Sequence, residues 1–513
     1  MNKFIFFLFM LSCYNTAAQP FEIPLDKGQY TVGFKTYWKF DHSRFYDASG
    51  LDSTIKKQKA AKPVLLQVWY PAEKPVANTP MIYGKYLLPV QDPGIVAGFY
   101  QSFISHGRQM AVKEIFGNEE KKLVPEESLL LQKVLSTKTN AYYSCKPVNK
   151  KFPLIIYHPG FGASLDDNIL FCEFLASHGY IVISSSFFKD GGNAWGADGR
   201  MGSVRDISFI LSNAAIWEPN ADLNNCAMMG HSAGAQAAHI AMAQGSLVFK
   251  AMVSMETTQE YHTLVNKLWN NFVTPTLLGI DRVKGDLLFI ATPGAIFQLA
   301  DSMKNANRYY YTIPGVRHND FISQGIIHNY VKREMKKTNA NDKDYAGVAA
   351  DYRDVCSLIL SFFDSKLKND TKAFELYYQK DITCTGTKLK CMEFMPKGRT
   401  NPEPYINREE PPTIRQFRQL LVASPKAGID LMKKWYINDA SLGIFDFSFA
   451  FAIIDELFET GRIRDAVLLY STYKELGGQF FVDDYKGKCD FYNTVSGQPK
   501  DAGDKKIKIL SGE

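Results

Sequence analysis

The sequence has no block of lysine or arginine and no stripe of basic residues interleaved with aromatics. Its 59 basic and 53 acidic side chains leave a formal charge of only +6 over 513 residues, so a nucleic-acid partner has no support. It has no C-x-x-C pair, which removes the usual zinc and redox signatures. The cysteines are scattered, and isolated cysteines mostly serve as small buried hydrophobes. In an oxidising compartment, Cys384 and Cys391 are close enough in sequence to close a short loop. Past the N-terminal stretch no apolar run is long enough for a membrane-spanning helix. No carboxylate cluster and no histidine pair at metal spacing stands out, so neither a metal nor a cofactor is expected.

What is there begins with a leader. Met1-Asn2-Lys3 is a short basic start, Phe4 to Leu11 is apolar, and Asn15 to Gln19 is small and polar. Residues 1–19 therefore read as a secretory signal cut near Ala18 or Gln19. Met10-Leu11-Ser12-Cys13 also resembles a lipoprotein box, with Met where Leu is preferred. The protein is expected to be periplasmic or secreted, or alternatively anchored through Cys13. With 46% apolar and 22% charged residues, the sequence has the composition of an ordinary globular chain, long enough for one large domain and an extension or for two to three domains.

Tyr30 to Phe40 alternates as a strand does, and Pro63 to Tyr70 is a strand that stops at Pro71. Residues 72–150 are irregular, with helical patches, and are expected as a cap-like insertion near one end of the sheet. The apolar patch from Ile95 to Tyr100 suits a helix face packed on the domain better than a pocket wall or a membrane contact. From Phe152 the rhythm becomes strand–helix–strand, with apolar strands at Leu154 to Tyr157, Tyr180 to Ser185, Phe249 to Met255, Asp286 to Ala291 and Tyr309 to Ile313. Helices are expected at Ile169 to Ser177, Val204 to Ala215 and Tyr352 to Leu367. This alternation predicts a doubly wound, mostly parallel α/β sheet over residues 20–367. Residues 368–513 are expected as a helical extension after a Pro-rich linker, with one tetratricopeptide-like hairpin about Gly461.

Within the α/β region, Gly230-His231-Ser232-Ala233-Gly234 has the form G-x-S-x-G between an apolar run and a small-residue helix. That context suits a nucleophile elbow, which would present Ser232 at the carboxyl end of a strand. A serine needs a base, and the base needs an acid that orients it. Of the later histidines, His239, His262 and His328 lack the right context. His318 follows a strand and the turn Pro314-Gly315, where a loop can deliver a base. For the acid, Asp281 precedes a strand and so sits at the wrong end. The strand at Asp286 to Ala291 ends in Thr292-Pro293-Gly294, with no carboxylate. Glu256 ends the strand after the elbow unit and is favoured. The N–H of Ala233 and one from Gly160-Phe161-Gly162, best that of Phe161, are the candidate oxyanion donors.

Val68-Trp69-Tyr70-Pro71, Pro153 to Gly162, Leu175 to Val182 and the Gly230 to Gly234 elbow together resemble the platelet-activating-factor acetylhydrolase family. That family falls within the dienelactone-hydrolase-like α/β hydrolases, and the likeness covers residues 30–365. It implies the α/β-hydrolase fold, an acid at Glu256, a base at His318 within Gly315-x-x-His-x-x-Phe321, and oxyanion donors at Phe161 and Ala233. It also implies a small ester or lipid substrate, such as a short-chain or oxidised phospholipid, and hence a role in lipid degradation. The chain departs from the family pattern at Glu256, where Asp is usual, at His158-Pro159-Gly160 and at Ala235. The alternatives are a non-catalytic binding protein on the same fold, its helical tail contacting a protein partner, and a serine peptidase.

Overall fold

The computed structural model describes residues 24–47, 59–75, 79–95, 97–162, 164–187, 197–245, 249–256, 279–292, 295, 297–338, 343–378, 389–400, 402, 404–406, 409, 411–438, 447–496 and 501–512. The expected leader with Cys13, His262, Pro293-Gly294 and Cys384 lie outside them.

Parallel strands covered on both faces are apolar throughout, because neither face meets water. The buried segments of the strands between residues 152 and 312 are of this kind. Ten strands form one sheet: β1 (Thr31–Asp47), β2 (Lys59–Ala72), β3 (Ala141–Tyr143), β4 (Phe152–His158), β5 (Ile181–Ser185), β6 (Ala221–His231), β7 (Ala251–Met255), β8 (Gly285–Ala291), β9 (Ala306–Thr312) and β10 (Lys390–Met395). Their order across the sheet is β10-β9-β8-β7-β6-β4-β5-β2-β1-β3. Strands β4 to β9 run parallel, while β2 is antiparallel to both β1 and β5. The chain steps from β4 out to β5 and returns to β6 on the other side of β4, which makes a topological switch point. An antiparallel pair leading into this parallel set, with helices on both faces, is the α/β-hydrolase fold.

Among the described residues the longer helices of the main body are α1 (Ala97–Phe116), α2 (Pro125–Ser136), α3 (Ile169–Ser177), α4 (Ala197–Trp217), α5 (Ala233–Gln244), α6 (Ser323–Glu334), α7 (Tyr345–Leu367) and α8 (Lys372–Tyr378). Side chains alternate across the sheet. Ile155, Tyr157, Met229 and Val253 join Leu175 of α3 and Ile359 of α7 in one core. Leu154, Ile156, Met228 and Met252 join Ile207 of α4 and Ile240 of α5 in the other.

Residues 72–150 supply α1, α2 and the edge strand β3, which pairs in parallel with β1. Ile95 and Phe99 bury against Trp38, Leu65 and Leu165, so at these two residues the apolar patch packs inward. The far end of α1 meets α6, where the ring of His328 donates through Nδ1 to Ile115 O at 2.9 Å.

The sheet extends past residue 367, the expected end of the hydrolase domain, because β10 pairs antiparallel with β9. Lys390-Cys391-Met392-Glu393 carries charges and no apolar run, as edge strands often do, and so gives no clear strand signal. Beyond it, α9 (Ile414–Ala423), α10 (Pro425–Asn438), α11 (Phe447–Glu459), α12 (Ile463–Ser496) and α13 (Asp501–Ser511) share a separate core. Gly478, with φ 58°, breaks α12 into two helical parts.

Arg415 of α9 joins this extension to the sheet. Its guanidinium donates to Glu393 at 2.7 Å and to Asp301, and lies 4.0 Å from the ring centre of Tyr310. Arg415 is only 4% exposed, so removing it takes the shared cation from two largely buried carboxylates, leaving Asp301 the hydroxyl of Tyr310 and Glu393 the more distant Arg399. Arg415→Ala should lower the unfolding free energy by about 3–5 kcal/mol. Denaturant titration followed by circular dichroism checks this, and a loss below about 1 kcal/mol would mean that water screens the pair.

Candidate active site

At the end of β6 the chain turns within one residue into α5, and Ser232 is that residue, with φ 53° and ψ −122°. Such a backbone costs a non-glycine residue about 1–3 kcal/mol and persists only where the surroundings dictate it. Here they do. Ser232 N donates to Met255 O at 3.0 Å, and Ser232 O accepts from Ala235 N at 3.0 Å. The flanking glycines are required by close approach. A Cβ on Gly230 would lie 2.4 Å from Ala235 N, and one on Gly234 would lie 2.1 Å from His158 O. Ser232 is half-buried, and Ala233 opens α5 beside it.

The strand registers bring five strand ends to one edge. His158 lies opposite Gly230, His231 opposite Met255, Met255 opposite Ile290, and Ala291 opposite Thr312. The loop after β4 therefore meets the elbow, and a Cβ on Gly160 would lie 3.6 Å from Ser232 Cβ. Phe161 follows at 42% exposure. Met110 of α1 approaches from the other side, 3.5 Å from the Cβ position of Gly162. The inserted helix thus borders the candidate site.

His318 opens a short helical turn, His318–Phe321, after β9. Its residue is exposed at the surface, yet the protein around the ring lowers its pKa by desolvation. The turn is held by Asp320, whose carboxylate accepts from Arg317 N and Asn329 Nδ2, both at 2.8 Å. Asn319 Nδ2 donates to Glu114 Oε2 of α1 at 3.3 Å. The link from His318 to the elbow runs through its main chain: its carbonyl accepts from His231 Nε2 at 2.9 Å. The structure draws no hydrogen bond from Ser232 Oγ to the His318 ring. His239 is buried in α5 and stacks on Phe289, and His328 faces α1.

Glu256 follows β7 with φ 45°. Its carboxylate accepts from Thr292 N at 2.7 Å and from Thr292 Oγ1 at 3.0 Å. The side chain therefore reaches from the end of β7 to the end of β8, on the edge that carries Ser232. Asp281 precedes β8, is exposed, and pairs with Lys304 at 3.2 Å. Of these two acids, only Glu256 shares the serine's edge. No group of three His, Cys, Asp or Glu among the described residues is placed to hold a metal ion.

Two features near the site have little signature in the sequence. One is His231, treated below. The other is a buried acid network behind the loop after β4. Tyr157 donates to Asp167 and Tyr83 to Asp166, and Gln324 Nε2 donates to Asp166 Oδ1 at 2.8 Å. Burial pushes Asp167 up to about 7, against the hydrogen bond from Tyr157. The folded state therefore holds a proton that an unfolded Asp, with a pKa near ~4, has already released. Stability from this group is full below pH ~4 and is lost as pH rises to about 7. Asp167→Asn, which still accepts from Tyr157, removes that dependence. Its melting temperature relative to wild type should rise by ~2 °C or more between pH 4.5 and 7.5. A constant difference across that range would contradict a protonated Asp167.

No protein-family model matches the chain, and no curated protein matches it. Among solved structures it is similar to a ferulic acid esterase from Streptomyces cinnamoneus, with 16% identity and a TM-score of 0.48. The match covers 72% of this chain and 99% of that one.

Proposed function

We propose that the protein is an exported serine hydrolase that cleaves carboxylic esters. The observation that carries this is the strained turn at Ser232, with Gly160 of the loop after β4 packed against it. In this scheme Ser232 Oγ attacks the acyl carbonyl while His318 accepts its proton. The N–H groups of Ala233 and Phe161 stabilise the oxyanion. The tetrahedral intermediate collapses, His318 protonates the departing alkoxide, and an acyl-enzyme remains. Water then attacks the acyl-enzyme, His318 takes the water's proton and passes it to the departing Ser232 Oγ, and the acid is released. Glu256 orients His318 and stabilises its cation, with Thr292 fixing the carboxylate. Because desolvation lowers the His318 pKa, the base stays neutral, and so competent, to below the usual ~6.5.

The substrate class proposed is a short-chain or oxidised-chain phospholipid ester, or a small ester of similar acyl size. The family resemblance supports it, as do the exposed Phe161 and the approach of Met110 to Gly162. Export rests on residues 1–19. A panel of p-nitrophenyl esters of increasing chain length, with truncated and full-length phospholipids alongside, tests the class. Turnover should fall as the acyl chain lengthens, and truncated phospholipids should exceed full-length ones. Preference for long chains would overturn the substrate class, and preference for peptides over all esters would make the protein a peptidase.

A further inference from the structure

The residue between the elbow's first glycine and its serine is His231, and its side chain is not directed at solvent. The ring is buried, 2% exposed, and lies against that of His318 with centroids 4.7 Å apart and planes tilted by 43°. Its Nε2 lies 2.9 Å from His318 O, and since a carbonyl can only accept, Nε2 carries the proton. That assignment leaves Nδ1 as an acceptor, and Nδ1 is buried without a hydrogen-bond partner. A Cβ on Gly160 would come within 3.1 Å of it. Burial holds the ring neutral, with a pKa down at about 3, so this tautomer persists throughout the working range. A residue chosen only to fill space would not carry a buried, unsatisfied nitrogen.

The loop of His318 has anchors on its far side, at Asp320 with Asn329 and at Asn319 with Glu114. On the near side His231 ties it to the residue directly before Ser232. We propose that His231 is a positioning residue: its Nε2–H holds the His318 main chain so that the base and the nucleophile are set by one rigid element. The proposal deepens the reading of Ser232 and His318 as nucleophile and base, and rests on it. A displaced base costs rate rather than substrate binding. The tie should therefore act on kcat and leave KM alone.

The test compares full-length mature wild type with His231→Phe, which keeps a ring but loses the donor, and His231→Gln, whose amide can reach the same carbonyl. On p-nitrophenyl acetate, His231→Phe should lower kcat by about 10- to 100-fold with KM within about twofold. Its fluorophosphonate labelling should slow in parallel. His231→Gln should recover most of the lost kcat. Hydrogen exchange of residues 314–322 should quicken in the Phe variant and return toward wild type in the Gln variant. A folded His231→Phe protein with wild-type kcat and exchange overturns the proposal, as does a Gln variant no better than Phe in both. If wild type proves inert to substrate and probe, the functional reading fails instead. Unchanged exchange in the Phe variant would then overturn the tie independently.

Discussion

Ser232→Ala protein should turn over p-nitrophenyl acetate ~10³- to 10⁶-fold more slowly than wild type. The hydroxyl is the atom that would bond to the acyl carbon, and no neighbouring group can replace it. What remains is binding and the oxyanion donors, whose main-chain N–H groups the substitution leaves in place. The fold should survive, since the elbow is set by main-chain bonds to Met255 and Ala235 and by the close approach of Gly230 and Gly234. A companion substitution reads the strain. Ser232 sits at φ 53°, where glycine is at ease and other residues are not. Ser232→Gly should abolish turnover equally but stabilise the fold by about 1 kcal/mol relative to Ser232→Ala. Steady-state assays and thermal melts on the two variants check both halves. An active Ser232→Ala protein would remove the serine mechanism, and a less stable glycine variant would remove the strained elbow.

Glu256→Gln should lower kcat by ~10²- to 10⁴-fold while the melting temperature changes little. The amide oxygen of Gln can still accept from Thr292, so the side chain keeps its place between the ends of β7 and β8. What is lost is the negative charge that, in the proposed triad, stabilises the His318 cation and selects its tautomer. If Glu256 faces the His318 cation as proposed, the acid limb of kcat/KM should also move to lower pH, because a carboxylate that favours the cation is gone. Asp281→Asn is the control. Asp281 is exposed, precedes β8 and pairs with Lys304, so its loss should leave kcat within about twofold of wild type. If the Asp281 variant loses activity and the Glu256 variant keeps it, the acid is wrongly placed.

The core of the fold was legible because its strands are short apolar runs separated by helices, and α3 falls on Ile169–Ser177, as the periodicity predicts. The elbow was legible for a different reason: the two glycines at fixed spacing are demanded by backbone approaches that leave no room for a Cβ, and the serine between them is the reactive group. Edges and inter-element contacts were not. β10 carries Lys390 and Glu393 and pairs on one side only, so its pattern is that of a loop. The docking of α1 by Met110 and Glu114 depends on where the helix lands, which local periodicity does not encode. His231 was passed over as a variable position of G-x-S-x-G. Its burial is not encoded locally: only the register of His231 against Met255, with the return of the β9 loop, gives it a partner. Glu256 was placed correctly at a strand end, while its partner Thr292 lay in a stretch noted only for having no carboxylate.

The central claim is that Ser232 is an activated nucleophile. Incubating the mature protein with a fluorophosphonate and measuring intact mass, then mapping peptides, tests it most directly. The account predicts one covalent adduct per chain, on the peptide carrying Gly230-His231-Ser232-Ala233-Gly234, lost in Ser232→Ala and strongly slowed in His318→Ala. An adduct on another residue, or labelling of Ser232→Ala at the wild-type rate, would contradict it.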